Sequence, residues 1–315
     1  MKRLFAAGLL SVVFAVSRAQ SLEQANAALQ AGEADKAIEL LSSLPASAQS
    51  FNLRCRVYFT LERWDSAASD CEQAVNLDAG DSRKRLWLGR ALGEKADRAS
   101  FVTAYSLAKR ARAEFEEAVN LDPRDAEALA DLGEFYTSAP SIVGGGNDKA
   151  EELVSQMEAV DRARAHELRA RIADSRKDYE TAERELKLAI TASEHPSFQW
   201  MTLGSFYRKH RQFDEMEAAV QNGYKAAQRD RHSGVALYNG ASVLAKGGRN
   251  LALAARMLEE YIANYSKTEE APAFEAHTRL ARLKAQLGDV PGAWQQRAAA
   301  LQLAHDYQPA LALKF

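Results

Sequence analysis

Small residues recur along this chain in pairs that stand 12 positions apart. The pairs are Ala25/Ala37, Cys55/Ala67, Ala170/Ala182 and Ala281/Ala293, and Gly204/Met216 keeps the spacing without a small second partner. Two helices pack about 8–10 Å apart only where the side chains at their contact allow it. Large side chains at these positions would push the two axes apart. The spacing therefore predicts a series of antiparallel helical hairpins.

Composition and turn residues agree with an all-α chain. Good helix formers such as Ala, Leu, Glu, Lys, Arg and Gln dominate, and no stretch shows the alternation of a half-buried strand. Turn-forming residues separate the paired positions, as at 32–35, 176–178 and 288–289. We count about eight hairpins, at residues 21–46, 48–80, 82–124, 126–160, 163–195, 197–231, 233–266 and 273–306.

Three hairpins depart from the common spacing. Gly240 and Ala255 are three positions too far apart, so the register of the seventh hairpin is ambiguous. Hairpin three carries ten extra residues within 93–105, and hairpin four carries five extra residues within 139–147. We expect both insertions to enlarge the turns between helices and, because the turns of stacked hairpins share one edge, to touch.

The insertions contain apolar residues where exposed loops are expected. These residues are Phe101, Val102, Tyr105, Ile142 and Val143. We expect them to cover each other, because large apolar patches are rarely left exposed. The joined insertions are interpreted either as a knob that docks a partner or as a brace that fills a gap in the superhelix.

One copy of the repeat has a recognisable set of large and small residues. It comprises Trp200, Leu203-Gly204, Tyr207, Phe213, Met216, Val220 and Gly223. This copy resembles the tetratricopeptide-repeat (TPR) family. The resemblance implies a right-handed α-solenoid over residues 20–306. From the residues that follow, which include Pro309, we expect a loosely packed C-terminal tail at 307–315. The Ala-Pro-Ser-Ile-Val-Gly-Gly-Gly segment at 139–146 is similar to one found in exported bacterial TPR proteins.

The resemblance also implies a concave groove that is formed by the first helix of each hairpin. Its predicted residues are Asn26, Asn52, Arg56, Phe59, Arg83 and Arg90. A mixed apolar and charged groove suits a peptide or a helix of a protein partner. We predict that the three arginines meet an acidic segment of that partner, and the alternative is that they are ordinary solvated charges.

Cys55 and Cys71 lie in the same hairpin, about equally far from its turn. They therefore face each other, and close packing of small residues allows the Cα–Cα distance of up to roughly 7 Å that a disulfide needs. A disulfide and two buried free thiols both fit this pattern, and the sequence leaves the choice open.

The N-terminus has the layout of a secretory signal peptide. Lys2 and Arg3 precede an apolar run at 4–16, and Ser17 and Ala19 are small residues at a cleavage site expected after Ala19. The run is shorter than the roughly 20 residues that cross a bilayer. We expect residues 1–19 to be removed, which leaves a periplasmic or secreted protein with no membrane span in the mature chain. The alternative is that this segment is retained as a membrane anchor.

Nothing in the sequence matches a catalytic, cofactor or metal motif. The six histidines fall on different hairpins without a ligand spacing, and the chain has 41 basic against 43 acidic residues, so nucleic acid is not an expected partner. We expect no catalytic residue, no cofactor and no metal site. The predicted function is a non-catalytic protein–protein interaction scaffold in the cell envelope, and the alternative is a regulatory or substrate-recruiting subunit of an enzyme whose catalytic site lies on another chain.

Overall fold

The computed structural model describes residues 20–315, and the predicted signal peptide at 1–19 lies outside these residues. The described chain is all-α, as predicted, with a single isolated bridge between Thr268 and Ala271. Its helices are α1 (residues 20–31), α2 (Ala34–Ser42), α3 (Ala48–Thr60), α4 (Trp64–Leu77), α5 (Ser82–Arg98), α6 (Phe101–Leu121), α7 (Ala126–Ser138), α8 (Asn147–Val160), α9 (Arg162–Ser175), α10 (Tyr179–Ala192), α11 (Ser197–Lys209), α12 (Phe213–Ala227), α13 (Gly234–Gly247), α14 (Leu251–Asn264), α15 (Ala273–Gln286), α16 (Val290–Leu303) and α17 (Gln308–Leu311). Successive pairs from α1–α2 to α15–α16 form hairpins 1 to 8. Across residues 20–315, we find no helix with the length and apolarity that a bilayer crossing requires.

In six of the hairpins, the first helix ends in the same way. One residue of each turn has a left-handed backbone, and the next N–H donates to a carbonyl five residues back, as from Arg63 to Tyr58 (2.9 Å) and from Asp178 to Ala173 (2.9 Å). This pattern satisfies carbonyls that the end of the first helix leaves open. The left-handed residues are Gly32, Glu62, Lys177, Arg211, Gly248 and Gly288.

The predicted small-residue pairs lie at the centre of their hairpins. Both members of the Ala25/Ala37 and Ala281/Ala293 pairs are fully buried. At the Gly204/Met216 pair, a Cβ on Gly204 would come within 3.0 Å of a Val220 methyl group. The Met216 side chain lies against Gly247, where a Cβ would come within 2.7 Å of its sulfur. Glycines on α11 and α13 therefore allow this larger pair to pack.

Hairpin 7 has a regular core and a longer turn. Its turn bond runs from Arg249 to Leu244 (3.1 Å), which places Ala241 opposite Ala254, both buried. The pairing of Gly240 with Ala255 is therefore wrong. One extra residue is accommodated because both Gly248 and Asn250 adopt left-handed backbone conformations.

The insertion in hairpin 3 lengthens its helices rather than its turn. Helix α5 has 17 residues and α6 has 21, against 13 and 14 in hairpin 2. The expected large loop is wrong because the inserted residues are mostly helix formers, which continue both helices. At about 1.5 Å per residue, the tip of hairpin 3 projects roughly 6–10 Å beyond its neighbour. In hairpin 4, the insertion forms a short 3₁₀ helix (Ser141–Val143) that packs against α6.

The last hairpin packs against the first, so the array closes into a ring. Side chains of hairpin 1, together with Leu53, Val57 and Leu61 of α3, share one apolar cluster with Phe274, Ala300, Ala304, Tyr307 and Ala310. Polar contacts border this cluster: the Asp35 carboxylate accepts from the His305 imidazole (2.8 Å), and Arg63 pairs with Asp306. The concave surface is therefore the interior of a closed ring and not an open groove.

The C-terminal tail completes this closure. Tyr307 is 1% exposed, packs edge-to-face on Phe274 with ring centroids 4.8 Å apart, and donates a hydrogen bond to Glu62 (3.0 Å). Ala310 in α17 is fully buried. The expectation of a loosely packed tail is wrong, because Tyr307 fills the seam between the two ends of the array.

Candidate binding site in the ring interior

The ring encloses a cavity of about 1120 Å³. Hairpins 2, 3 and 4 form one wall, and Lys246 with residues between 269 and 279 forms the opposite wall. The charged side chains of the lining are the acids Glu62, Glu94, Asp97, Asp131, Glu134, Glu269, Glu270 and Glu275 and the bases Arg90, Arg98, Lys246 and Arg279. The acids outnumber the bases two to one, so the interior favours a cationic ligand.

Aromatic rings line the wall formed by hairpins 2 and 3. Phe59 makes edge-to-face contacts with Trp64 and Trp87, at centroid distances of 5.1 and 5.3 Å. The guanidinium groups of Arg98 and Arg90 lie over the Trp64 and Trp87 rings, at 4.6 and 4.7 Å from the centroids. The wall therefore already holds cations against aromatic faces, which attract positive charge electrostatically.

Two of the three arginines that were predicted to bind an acidic segment of a partner already pair with carboxylates of this chain. Arg56 donates to both oxygens of Glu269, at 2.8 and 2.5 Å, and both side chains are mostly buried. Arg90 donates to Asp131 (2.5 Å), and the same guanidinium reaches Glu127 at 3.3 Å. Arg83 is exposed on α5 and does not line the cavity. The structure therefore gives no support to the prediction that these arginines bind an acidic segment.

The remaining predicted groove residues are divided between the cavity and the ring wall. Phe59 lines the cavity, as described above. Asn26 and Asn52 are half-buried and stay outside the lining. The side-chain oxygen of Asn52 is buried without a hydrogen-bond partner among the described residues. The structure thus brings Phe59 and Arg90 together at the cavity and leaves the two asparagines and Arg83 elsewhere.

Glu270 lines the cavity but was not among the groove residues predicted from the sequence. That prediction considered only the first helix of each hairpin, and Glu270 lies in the segment after α14. Its side chain reaches solvent in the cavity and has no ion-pair partner within residues 20–315. Desolvation by the surrounding ring raises the pKa of its carboxyl group, and the neighbouring carboxylate of Glu127 raises it further. A carboxylate in this setting gains from an incoming cation.

The apolar residues of the two insertions do not cover each other. Phe101 and Val102 at the tip of hairpin 3 are 80% and 79% exposed, and Ile142 is 63% exposed. Tyr105 is also exposed, whereas Val143 is buried and lines the cavity. The mutual covering is wrong because hairpin 3 extends as helices, which carry its tip away from the short 3₁₀ helix of hairpin 4.

Cys55 and Cys71 are joined by a disulfide, with their Cα atoms 5.3 Å apart. The bond links α3 to α4 across a separation of 16 residues, and both residues are fully buried. It crosslinks hairpin 2, which supplies part of the cavity wall.

The comparisons with known proteins concern the fold alone. No protein-family model and no curated protein sequence matches the chain. Among solved structures, a thermophilic TPR protein of Thermus thermophilus is similar over 60% of this chain and 98% of its own, with 16% identity and a TM-score of 0.50. A tetratricopeptide repeat protein of Parabacteroides merdae aligns over 94% of this chain and 96% of its own, with 13% identity and a TM-score of 0.44. The chain therefore has the tetratricopeptide-repeat fold, here closed into a ring of eight hairpins.

Proposed function

We propose that this protein is a non-catalytic scaffold of the cell envelope that binds a basic segment of a protein partner inside its ring. The observation that carries the proposal is the acidic, aromatic cavity between hairpins 2–4 and the opposite wall. The proposal keeps a peptide ligand on the concave surface, as expected from the sequence, but reverses the expected charge of that ligand.

The charge balance of the lining supports a cationic ligand. Several acids are already neutralised, since Glu269 and Asp131 are held by arginines and Glu275 pairs with Arg279. Within the described chain, Asp97 and Glu270 have no ion-pair partner, so they are available to a lysine or arginine of a ligand.

The size of the cavity supports an extended segment rather than a folded domain. Small-molecule pockets occupy about 300–1000 Å³, so a space of about 1120 Å³ holds only a few residues. A short peptide can present both a basic group to Glu270 and apolar atoms to Phe59 and Phe115 on the opposite wall. Docking of this kind gives specificity through side-chain pockets.

Location in the envelope is supported by two features of the chain. The leader predicted at 1–19 would direct export. The disulfide between Cys55 and Cys71 suits an oxidising compartment.

One observation favours the alternative of a substrate-recruiting subunit. The tip of hairpin 3 exposes Phe101 and Val102 almost fully, which provides a second surface apart from the interior. An enzyme docked at the tip would leave the cavity free to recruit a basic substrate segment.

Peptide binding measured by fluorescence anisotropy tests the main proposal. We expect a labelled Lys/Arg-rich peptide to bind, an Asp/Glu-rich peptide of equal length not to bind, and added salt to weaken the binding. The double variant Asp97→Asn/Glu270→Gln should weaken binding at least fivefold. The matched control is Glu39→Gln, because Glu39 is an exposed glutamate of α2 outside the cavity.

Two outcomes would refute the proposed site. The first is equal affinity for acidic and basic peptides. The second is an affinity for the basic peptide that Asp97→Asn/Glu270→Gln and Glu39→Gln change equally.

A further inference from the structure

The fold brings two histidines together on one carboxylate, away from the cavity. His195 lies in the loop between α10 and α11, and His232 lies in the loop between α12 and α13, 37 positions later in the sequence. The Nδ1 atoms of His195 and His232 lie 2.9 and 3.3 Å from the two oxygens of Asp230. The two rings are 5.1 Å apart between centroids.

The 3.3 Å distance matches the separation of neighbouring ligand atoms around a tetrahedral metal ion, and the 2.9 Å distance is a few tenths of an ångström shorter. Zn–N and Zn–O bonds of about 2.0–2.2 Å place neighbouring ligand atoms roughly 3.3–3.5 Å apart at tetrahedral angles. One ligand atom from each of His195, Asp230 and His232 lies within 4.8 Å of the other two. An ion therefore fits among the three atoms after small side-chain adjustments.

The supporting residues hold this arrangement in place. Ser197 and Ser233 are buried and share a hydrogen bond of 2.7 Å between their hydroxyl groups, which joins the start of α11 to the loop before α13. The Ser233 hydroxyl donates to Asp230 (3.1 Å), and the backbone N–H of His232 donates to the same carboxylate (2.9 Å). Hydrogen bonds that orient a ligating carboxylate in this way are typical of metal sites.

We propose that His195, Asp230 and His232 form a binding site for a divalent transition-metal ion of the zinc type. Two imidazoles and one carboxylate suit Zn²⁺, Cu²⁺ or Ni²⁺, whereas Ca²⁺ and Mg²⁺ prefer oxygen ligands throughout. Both histidines are largely exposed, so water completes the coordination. The ion would link the loop between hairpins 5 and 6, which carries His195, to the loop between hairpins 6 and 7, which carries His232.

A second cluster offers a matched control. His305 is also an exposed histidine whose Nδ1 lies 2.8 Å from an aspartate, Asp35. That cluster has a single histidine, and its other acid, Asp306, is held by Arg63. His305→Ala therefore removes a comparable hydrogen bond without touching the proposed site.

Isothermal titration of the purified protein with Zn²⁺ at pH 7.5, where free imidazole is neutral, tests the proposal. We expect one ion per chain and at least a tenfold weaker affinity in both His195→Ala and His232→Ala, with His305→Ala unchanged. Titration with Co²⁺ gives a second measurement, because a tetrahedral site with imidazole ligands changes the visible absorption of this ion. Circular dichroism checks that each variant keeps its helices.

Three results would overturn the assignment. These are no stoichiometric binding of Zn²⁺, equal affinity in His195→Ala and the unmodified protein, and loss of binding in His305→Ala alone. The last result would move the ion to the Asp35 cluster.

Discussion

Gly32 lies in the turn of hairpin 1 with the backbone of hairpin 8 directly against it. A Cβ atom at this position would sit 3.0 Å from the Cβ of Ala273 and 3.2 Å from its Cα, and closer still to its backbone nitrogen. Gly288 occupies the equivalent turn of hairpin 8, with the same backbone hydrogen bonds and a similar φ of +87° against +73°. Nothing lies within 4 Å of a Cβ at Gly288. The two glycines differ in the contact across the ring seam.

Alanine at either position carries the cost of a left-handed conformation, about 1–2 kcal/mol. Gly32→Ala also forces two backbones apart, and overpacking of this kind costs about 1–3 kcal/mol. We therefore expect the free energy of unfolding to fall by about 2–5 kcal/mol in Gly32→Ala and by about 1–2 kcal/mol in Gly288→Ala.

Urea unfolding of both variants, monitored by circular dichroism, measures the difference in their free energies of unfolding. The dependence of the free energy on urea concentration should be compared between the two variants. Amide hydrogen exchange should show faster exchange at the start of α15 in Gly32→Ala only, because that segment faces the new methyl group. Equal losses of stability in the two variants, with unchanged exchange in α15, would refute the packing of hairpin 8 on hairpin 1.

Other perturbations give separate expectations. Lys177 has a left-handed φ of +65°, so Lys177→Gly should raise the free energy of unfolding by about 0.5–1 kcal/mol. This value is the strain that glycine relieves minus the cost of the greater freedom of glycine in the unfolded chain. A lower stability in urea would count against the turn geometry. Replacing Cys55 and Cys71 by alanine should lower the free energy of unfolding by about 3 kcal/mol, and unfolding of the unmodified protein that is insensitive to reductant would contradict the disulfide. Burial lowers the pKa of His277 below its ordinary 6.5, and the positive charge of Lys267 lowers it further, whereas the hydrogen bond with Gln296 acts in the opposite direction. The unfolded chain therefore binds a proton at this histidine more readily than the folded chain. The free energy of unfolding should decrease as the pH falls below about 6.5. His277→Gln should flatten that decrease in thermal unfolding, and an unchanged slope would show that other groups cause it.

The hairpins could be predicted from the sequence because each depends on residues close together in the chain. A small pair such as Ala281 and Ala293 needs only one turn between its members, and both are fully buried as expected. The spacing of the small pairs also predicted where the turns without glycine lie, such as the turn at Lys177. The left-handed backbone of these turns could not be predicted, because a lysine at this position gives no sequence signal for it.

The ring and its interior could not be predicted in the same way. Arg56 and Glu269 are 213 positions apart, and no local pattern records that the superhelix curves enough to join them. The curvature sums small rotations between successive hairpins, which depend on packing at every interface. The same reason hides the cluster of His195 and His232, because it forms only when two loops of adjacent hairpins meet. In hairpin 3, the spacing located the insertion, but helix propensity decided that it would extend α5 and α6.

The pairing of Arg56 with Glu269 provides the most direct test of the closed ring. A double-mutant cycle with Arg56→Gln, Glu269→Gln and the double variant isolates the interaction between the two side chains in the free energy of unfolding. Because the pair is bidentate and mostly buried, closure predicts a coupling of about 1–3 kcal/mol. Strictly additive effects of the two substitutions would mean that hairpin 2 does not meet the segment before α15, and the closed ring would be contradicted.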